Sequence, residues 1–251
     1  MPKKQSTVSL EFLHAYWKAP KNVHALTTTR GAGVSTGAFT SFNLAEHVGD
    51  TRDSVRKNRA LLNRTLQLPS EPLWLQQVHG TDVVNAADAN IGATADGAWT
   101  NKRDIVLAVL TADCMPIFIC DKAGTKIALL HAGWRGLLTG VIESSVAALR
   151  TPGNQLMAYL GPGIGAEVYE VGLDVYEAFL KHNPAAATAF CSSREDHWLA
   201  NMYLLARQRL QSLGIEDITG GEHCTYLEGD RFYSYRRDRQ TGRMASLVWL
   251  T

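Results

Sequence analysis

Three short segments each bring an apolar run to a stop on a side chain that binds soft or borderline metals. They are Gln76-Gln77-Val78-His79-Gly80, Thr111-Ala112-Asp113-Cys114-Met115-Pro116 and His131-Ala132-Gly133-Trp134-Arg135-Gly136. His79, Cys114 and His131 together offer two imidazoles and a thiolate. A catalytic zinc takes three protein ligands of this kind and keeps its fourth position for water or substrate. Ligands at the ends of separate strands can converge on one point while a stiff sheet holds them. Gly80, Gly133 and Gly136 beside them fit close backbone approach or tight turns.

Other chemistry is open to the same residues. A buried cysteine is often a small hydrophobe and nothing more. Without a metal, Cys114 is a thiolate nucleophile with His131 as its base, the arrangement of a cysteine-type amide hydrolase. A structural zinc, in a protein that only binds a partner, needs four protein ligands, and His223 or Cys224 is the source of the fourth. Copper oxidase chemistry fits less well. Multicopper sites need many histidines, and this chain has 8 with no His-x-His pair.

The elements that must position these residues are legible in part. Apolar periodicity predicts helices over about 53–68, 137–149, 172–183 and 196–213. Thr51 or Asp53 caps the first, and Gly214 stops the last. Short apolar or β-rich runs at 73–78, 105–111, 117–120, 126–131, 156–160 and 245–250 read as strands. Asp121 to Thr125 reads as a hairpin turn. The Gly/Ser/Thr-rich stretch from Thr27 to Phe42 reads as an ordered loop, with Phe39 and Phe42 to bury. Strands parted by helices at uneven intervals imply an α+β fold: mixed sheets with helices outside, not a regular βαβ winding.

The chain has 251 residues, a length one domain can fill. Residues 1–20 read as a lead-in and 20–251 as the domain. Lys plus Arg number 25 and Asp plus Glu 24, a balance that predicts no general attraction to nucleic acid or to an anionic membrane. No apolar run approaches the ~18 residues of a membrane span. The charged N-terminus lacks the apolar core of an export signal. A cytoplasmic monomer is expected. The 4 cysteines form no disulfide framework and no Cys-x-x-Cys pair.

The segments QQVHGTDVV, ADGAWT, TADCMPIFI and HAGWRGLLTGVIE resemble the family known as multicopper polyphenol oxidases or laccase-domain proteins. TTTRGAGVS, FNLAEHVGD and VRKNRALL match its N-terminal blocks, and YLGPGIGAEVYEVG and FYSYRRDRQTGRMASL its C-terminal ones. The resemblance implies a two-sheet sandwich flanked by helices, with zinc on His79, Cys114 and His131. It implies a zinc-dependent purine nucleoside phosphorylase with adenosine deaminase activity, whose partners are purine nucleosides and phosphate. Some bacterial relatives are also linked to editing of a peptidoglycan precursor, which would be amide hydrolysis.

Phosphorolysis needs positive charge for the phosphate. Arg59 shares a helical stripe with Val55, Leu62 and Leu66. It either points into the site and meets an anion, or sits at the stripe edge and reaches water. Arg135 precedes a helix start, where free N–H groups favour anions. Arg30 and Asn43 lie in family-matching blocks and either contact substrate or order a loop. Arg236, Arg237, Arg239 and Arg243, with Tyr233 and Tyr235 among them, read as a phosphate patch or, more simply, a solvated turn. Gly161 to Gly165 lacks the Gly-Lys-Ser/Thr ending of a phosphate loop and reads as a structural turn. Asp113, Asp96 and Glu170 are candidate general bases.

Overall fold

The computed structural model describes residues 10–251. In chain order its elements are β1 (Phe12–His14), β2 (Val23–Thr28), α1 (Arg52–Leu66), β3 (Val83–Asn85), β4 (Gly97–Thr100), β5 (Leu107–Thr111), β6 (Met115–Asp121) and β7 (Ile127–Ala132). Then come α2 (Trp134–Thr139), α3 (Val141–Leu149), β8 (Leu156–Leu160), β9 (Glu170–Gly172), α4 (Leu173–His182), β10 (Phe190–Arg194) and β11 (His197–Ala200). The last are α5 (Met202–Ser212), β12 (Asp217–Gly220), α6 (Tyr235–Asp238) and β13 (Met244–Leu250).

Two large sheets face one another. One has the order β1-β2-β13-β5, the other β12-β8-β6-β7-β4-β3, and a small third sheet has the order β10-β11-β9. Period-2 alternation divides the side chains between layers. Val23, Ala25, Val109 and Val248 meet Phe118, Cys120, Leu129 and Tyr159 between the large sheets. The other face of the six-stranded sheet, with Ile117, Ile119, Ala128 and Leu130, packs under Leu137, Ile142, Phe179 and Leu210 from the helices. The outer face of the four-stranded sheet packs Leu26, Leu110 and Leu247 against Leu62 of α1 and against Phe42 and Trp74. The expected sandwich is therefore present, as four layers with helices outside both sheets. No helix among the described residues is long and apolar enough to cross a membrane.

Thr51 caps α1, its hydroxyl accepting from the Ser54 amide at 3.2 Å. Phe42 is fully buried and Phe39 nearly so, as an ordered 27–42 loop requires. Three expectations need correcting. The helix expected over 137–149 begins earlier and breaks at Gly140 (φ 111°), which separates α2 from α3. The front of the helix expected over 196–213 is strand β11, paired with β10, because Asp196 (φ 53°) turns the chain there. The 73–78 run contributes only isolated bridges at Leu73 and Gln76. A side chain at Gly140 would meet nothing closer than 3.4 Å. Gly140→Ala should therefore cost only the left-handed backbone penalty, about 1–2 kcal/mol, visible as a lower midpoint in urea unfolding with an unchanged slope.

Register sets the site. β6 and β7 are antiparallel with Pro116 opposite His131, and β4 and β7 are antiparallel with Gly97 opposite Leu130. The start of β6, the end of β7 and the start of β4 therefore share one edge of the six-stranded sheet. Cys114, His131 and Asp96 occupy that edge.

Candidate metal centre

His131 comes from the penultimate residue of β7, Cys114 from the residue before β6, and His79 from the turn before β3. One donor atom from each lies within 4.8 Å of the other two. His79 Nε2 and Cys114 Sγ are 3.8 Å apart. The two imidazole rings stand edge to face, with centroids at 4.7 Å. Around a tetrahedral zinc, with Zn–N of about 2.0–2.1 Å and Zn–S of about 2.3 Å, neighbouring donors sit roughly 3.3–3.6 Å apart. A small inward rotation of the side chains closes the difference, so the donor set fits a metal. His223 and Cys224 are not in this group. His223 pairs with Glu228 at 3.0 Å, and the Cys224 sulfur accepts from the Gly165 amide.

Asp96 organises two of the three ligands and is fully buried. Its Oδ1 accepts from His131 Nδ1 at 2.8 Å and from the His79 amide at 2.9 Å. Its Oδ2 accepts from the Gly80 amide at 2.6 Å and the Val78 amide at 3.1 Å. The bond to Nδ1 leaves His131 Nε2 for a metal. The three backbone bonds hold the 78–80 turn, in which His79 takes the left-handed φ of 61°. A non-glycine residue pays to stay there, and such strain recurs at functional sites. Burial would raise the Asp96 carboxyl, but His131 and the amides outweigh it and hold it below its ordinary range. Both Asp96 oxygens are thus taken up in bracing the ligands.

Charge around the sulfur favours ligation too. Burial opposes the thiolate, yet His131 and His79 draw the Cys114 thiol well below its usual value. Burial also opposes the His131 cation, but Cys114 and Asp96 raise it. Cys120, at the far end of β6, shows the contrast: burial, then Asp121, push its thiol up.

Gly133 accounts for the tight approach. A Cβ there would stand 2.9 Å from His79 Cδ2 and 3.0 Å from Cys114 Sγ. Gly133→Ala should push both ligands outward and lower metal affinity about 10–100-fold, as for loss of a supporting group. Competition with a chromogenic chelator would measure it.

The cluster forms one wall of a cavity of about 320 Å³, lined also by His47, Gln77, Thr111, Asp113, Tyr169, Tyr235, Arg236 and Arg243. Gln77 is a brace: its amide both donates to the Leu110 carbonyl and accepts from the Leu110 amide. Asp113 spends one carboxylate oxygen on Thr225 at 2.7 Å and the other on the Arg236 amide at 2.6 Å. Glu170 is outside the cavity and is paired with Arg194, which with Ser193 holds its carboxyl down to about 2.

Of the residues proposed for substrate, Arg135 lies over the Trp134 ring and lines a smaller cavity that shares His79, Cys114 and Tyr169 with the main one. Arg30, Asn43 and Arg59 do not line the main cavity. Arg30 donates to the Thr40 and Gly229 carbonyls. Asn43 is buried, and its amide braces Ala45, Asp50 and the Arg243 backbone. Arg59 sits 4.1 Å from the Trp74 ring centroid and donates to the Leu44 carbonyl. The cavity instead takes Arg236 and Arg243 from the basic run, while Arg237 is turned onto the Thr225, Tyr226 and Phe232 carbonyls. Tyr235, read with the basic run, also lines the cavity, whereas His47 and Tyr169 were not singled out by sequence reasoning; their only signal was membership of the FNLAEHVGD and GPGIGAEVYEVG blocks.

Two imidazoles and one thiol that could hold a metal ion, grouped at the strand ends of a four-layer sandwich, define the class. The chain belongs to the family described as multi-copper polyphenol oxidoreductase laccase, whose profile matches residues 24–251. Among its relatives, an Escherichia coli protein named purine nucleoside phosphorylase YfiH is 46% identical over 93% of this chain and 96% of its own length. A Pseudomonas aeruginosa protein also named purine nucleoside phosphorylase is 45% identical over 93% of this chain and 96% of its own. The crystal structure of Neisseria meningitidis protein NMB0706 superposes with a TM-score of 0.92 at 50% identity, over 95% of this chain and 98% of that one. That of YlmD from Geobacillus stearothermophilus gives 0.83 at 28% identity, over 92% of each chain.

Proposed function

We propose that this protein is a zinc-dependent purine nucleoside phosphorylase that also deaminates adenosine. The observation that carries the reading is the His79–Cys114–His131 cluster on the wall of a cavity that also holds two arginines and two tyrosines. The names of the relatives support the choice of reaction. Two imidazoles and one thiolate suit zinc, and a single three-donor cluster among the described residues is a poor match to several coppers. Zinc, when bound, supplies a Lewis acid beside the substrate.

In phosphorolysis a phosphate oxygen bonds to C1′ of the ribose. The C1′–N9 bond breaks, its electron pair leaves with the purine, and the purine takes up a proton. Tyr169 and Tyr235 offer aromatic walls for base or sugar, and Arg243 offers positive charge for the phosphate. Asp96 keeps His131 in one tautomer and one orientation throughout. The cavity draws on residues from His47 to Arg243, which supports reading 20–251 as one domain. A monomer suffices for this, and light scattering would test it.

The experiment is to incubate zinc-loaded protein with adenosine, with and without phosphate, and separate the products chromatographically. Phosphate-dependent adenine with ribose 1-phosphate marks phosphorolysis; inosine marks deamination. A metal-replete sample that yields none of these sinks the reading. A second reading has one observation in its favour: Asp96, His131 and Cys114 lie in the order of a cysteine hydrolase relay. It predicts that iodoacetamide alkylates Cys114 equally well with and without prior chelation. Under the zinc reading the metal shields the sulfur, and alkylation should rise at least about tenfold after chelation.

A further inference from the structure

We propose that Arg243, Thr111 and His47 form an anion subsite that holds inorganic phosphate beside the metal cluster. The proposal rests on the phosphorolysis reading and assigns its second substrate to particular side chains. Thr111 is the starting observation. It is 1% exposed, it lines the cavity, and its hydroxyl has no hydrogen-bond partner. A buried hydroxyl left unpaired is costly. On β5 it follows Leu107 and Val109, whose side chains face the six-stranded sheet, so alternation turns the hydroxyl towards the edge that carries Cys114 and His131.

Arg243 stands next to it across the ladder, since Thr111 is paired with Met244. Its Nη1 donates to the Thr241 and Gly242 carbonyls, which fixes the guanidinium. Its Nε and Nη2 have no partner among the described residues, and no carboxylate pairs with it. A fixed guanidinium with free N–H groups is suited to a tetrahedral oxyanion. Arg236 also lines the cavity and, like Arg243 over Tyr235, lies over an aromatic ring, that of Tyr169; what sets Arg243 apart is its place beside Thr111 in the ladder and beside the His47 loop.

His47 comes from the loop that Asn43 ties to Arg243: the Asn43 Oδ1 accepts from the Arg243 amide at 3.0 Å. Burial, then Arg243 and Arg59, lower the His47 imidazole. The loop thus brings a hydrogen-bonding ring within the field of the same guanidinium, at the rim of the cavity. Three separate segments supply the subsite, and none of its members is a metal ligand.

The test is titration of inorganic phosphate into the zinc-loaded full chain by calorimetry, beside steady-state kinetics. Arg243→Gln should weaken phosphate binding at least tenfold and raise the KM for phosphate to match. The KM for nucleoside should stay within about twofold, and the zinc content should stay at wild type. Thr111→Val, nearly isosteric, should weaken phosphate several-fold, and it carries the test if Arg243→Gln does not fold. The proposal falls if wild type binds no phosphate. It also falls if folded Arg243→Gln and Thr111→Val bind phosphate as wild type does, or if Arg236→Gln alone abolishes binding. Phosphate bound and lost as described, with no base released from any nucleoside, keeps the subsite and overturns phosphorolysis instead.

Discussion

Under the proposed zinc reading, Asp96→Asn should hold the metal more weakly and unfold more easily than wild type. The four donors around the carboxylate are arranged two by two: His131 Nδ1 and the His79 amide on one oxygen, the Val78 and Gly80 amides on the other. An amide can offer only one oxygen, so either rotamer points an NH₂ group at two donors. Each buried donor left unsatisfied costs about 1–3 kcal/mol, so the loss from two should be roughly 2–6 kcal/mol of stability. The turn that holds His79 at φ 61° slackens with it, and zinc affinity should fall 10- to 100-fold or more, the scale of a lost supporting partner. The pH dependence gives an independent check. The folded-state pKa of Asp96 is depressed. Its stabilising contribution is therefore complete above the unfolded value of about 3.9 and fades as pH falls through the lower folded value. Urea midpoints from pH 6 to pH 2 should show wild type losing that part of its advantage over the variant. Equal metal content and equal midpoints in the two proteins would refute the role given to Asp96.

Cys114→Ala is the second large effect, and it should separate activity from stability. The side chain is half-buried and lies outside the hydrophobic clusters of the sandwich. Truncation should cost about 1 kcal/mol or less. Two imidazoles remain, too few for a retained catalytic zinc. Losing several kcal/mol of charge stabilisation lowers turnover by about 10³-fold or more. Elemental analysis should find less than a tenth of the wild-type zinc, with a far-UV spectrum unchanged. A variant that keeps both zinc and base release would place the chemistry elsewhere.

The three donors were readable because each stands where an apolar run ends, and the ends of β6 and β7 are fixed by their antiparallel register. Periodicity found α1 and α4, most of α3 and α5, and strands β5 to β8 and β13, but not the buried strands β2 and β4. Asp96 was visible only as one acid among several, since its four bonds come from a turn and from another strand. Gly140 and Asp196 reverse the chain through left-handed backbone, and apolar periodicity runs past such points without a mark. The arginines were harder. Composition cannot tell a solvated basic turn from one in which Arg237 is tied to carbonyls while Arg236 and Arg243 flank a cavity. Arg237 is tied to carbonyls close behind it in the chain, whereas the cavity that Arg236 and Arg243 flank is walled by residues as distant as His47 and Cys114.

The single carboxylate beneath His79 and His131 also bears on how fast the centre fills and empties. Because Asp96 locks one ring and the other ligand's turn through protein groups alone, an arriving ion meets donors already aimed. Little ordering remains for the ion to impose, so uptake should proceed near the encounter limit, and affinity should be expressed as a long residence time. Stopped-flow exchange would then show a capture rate almost indifferent to substitutions in the outer helices, with escape controlled from β4.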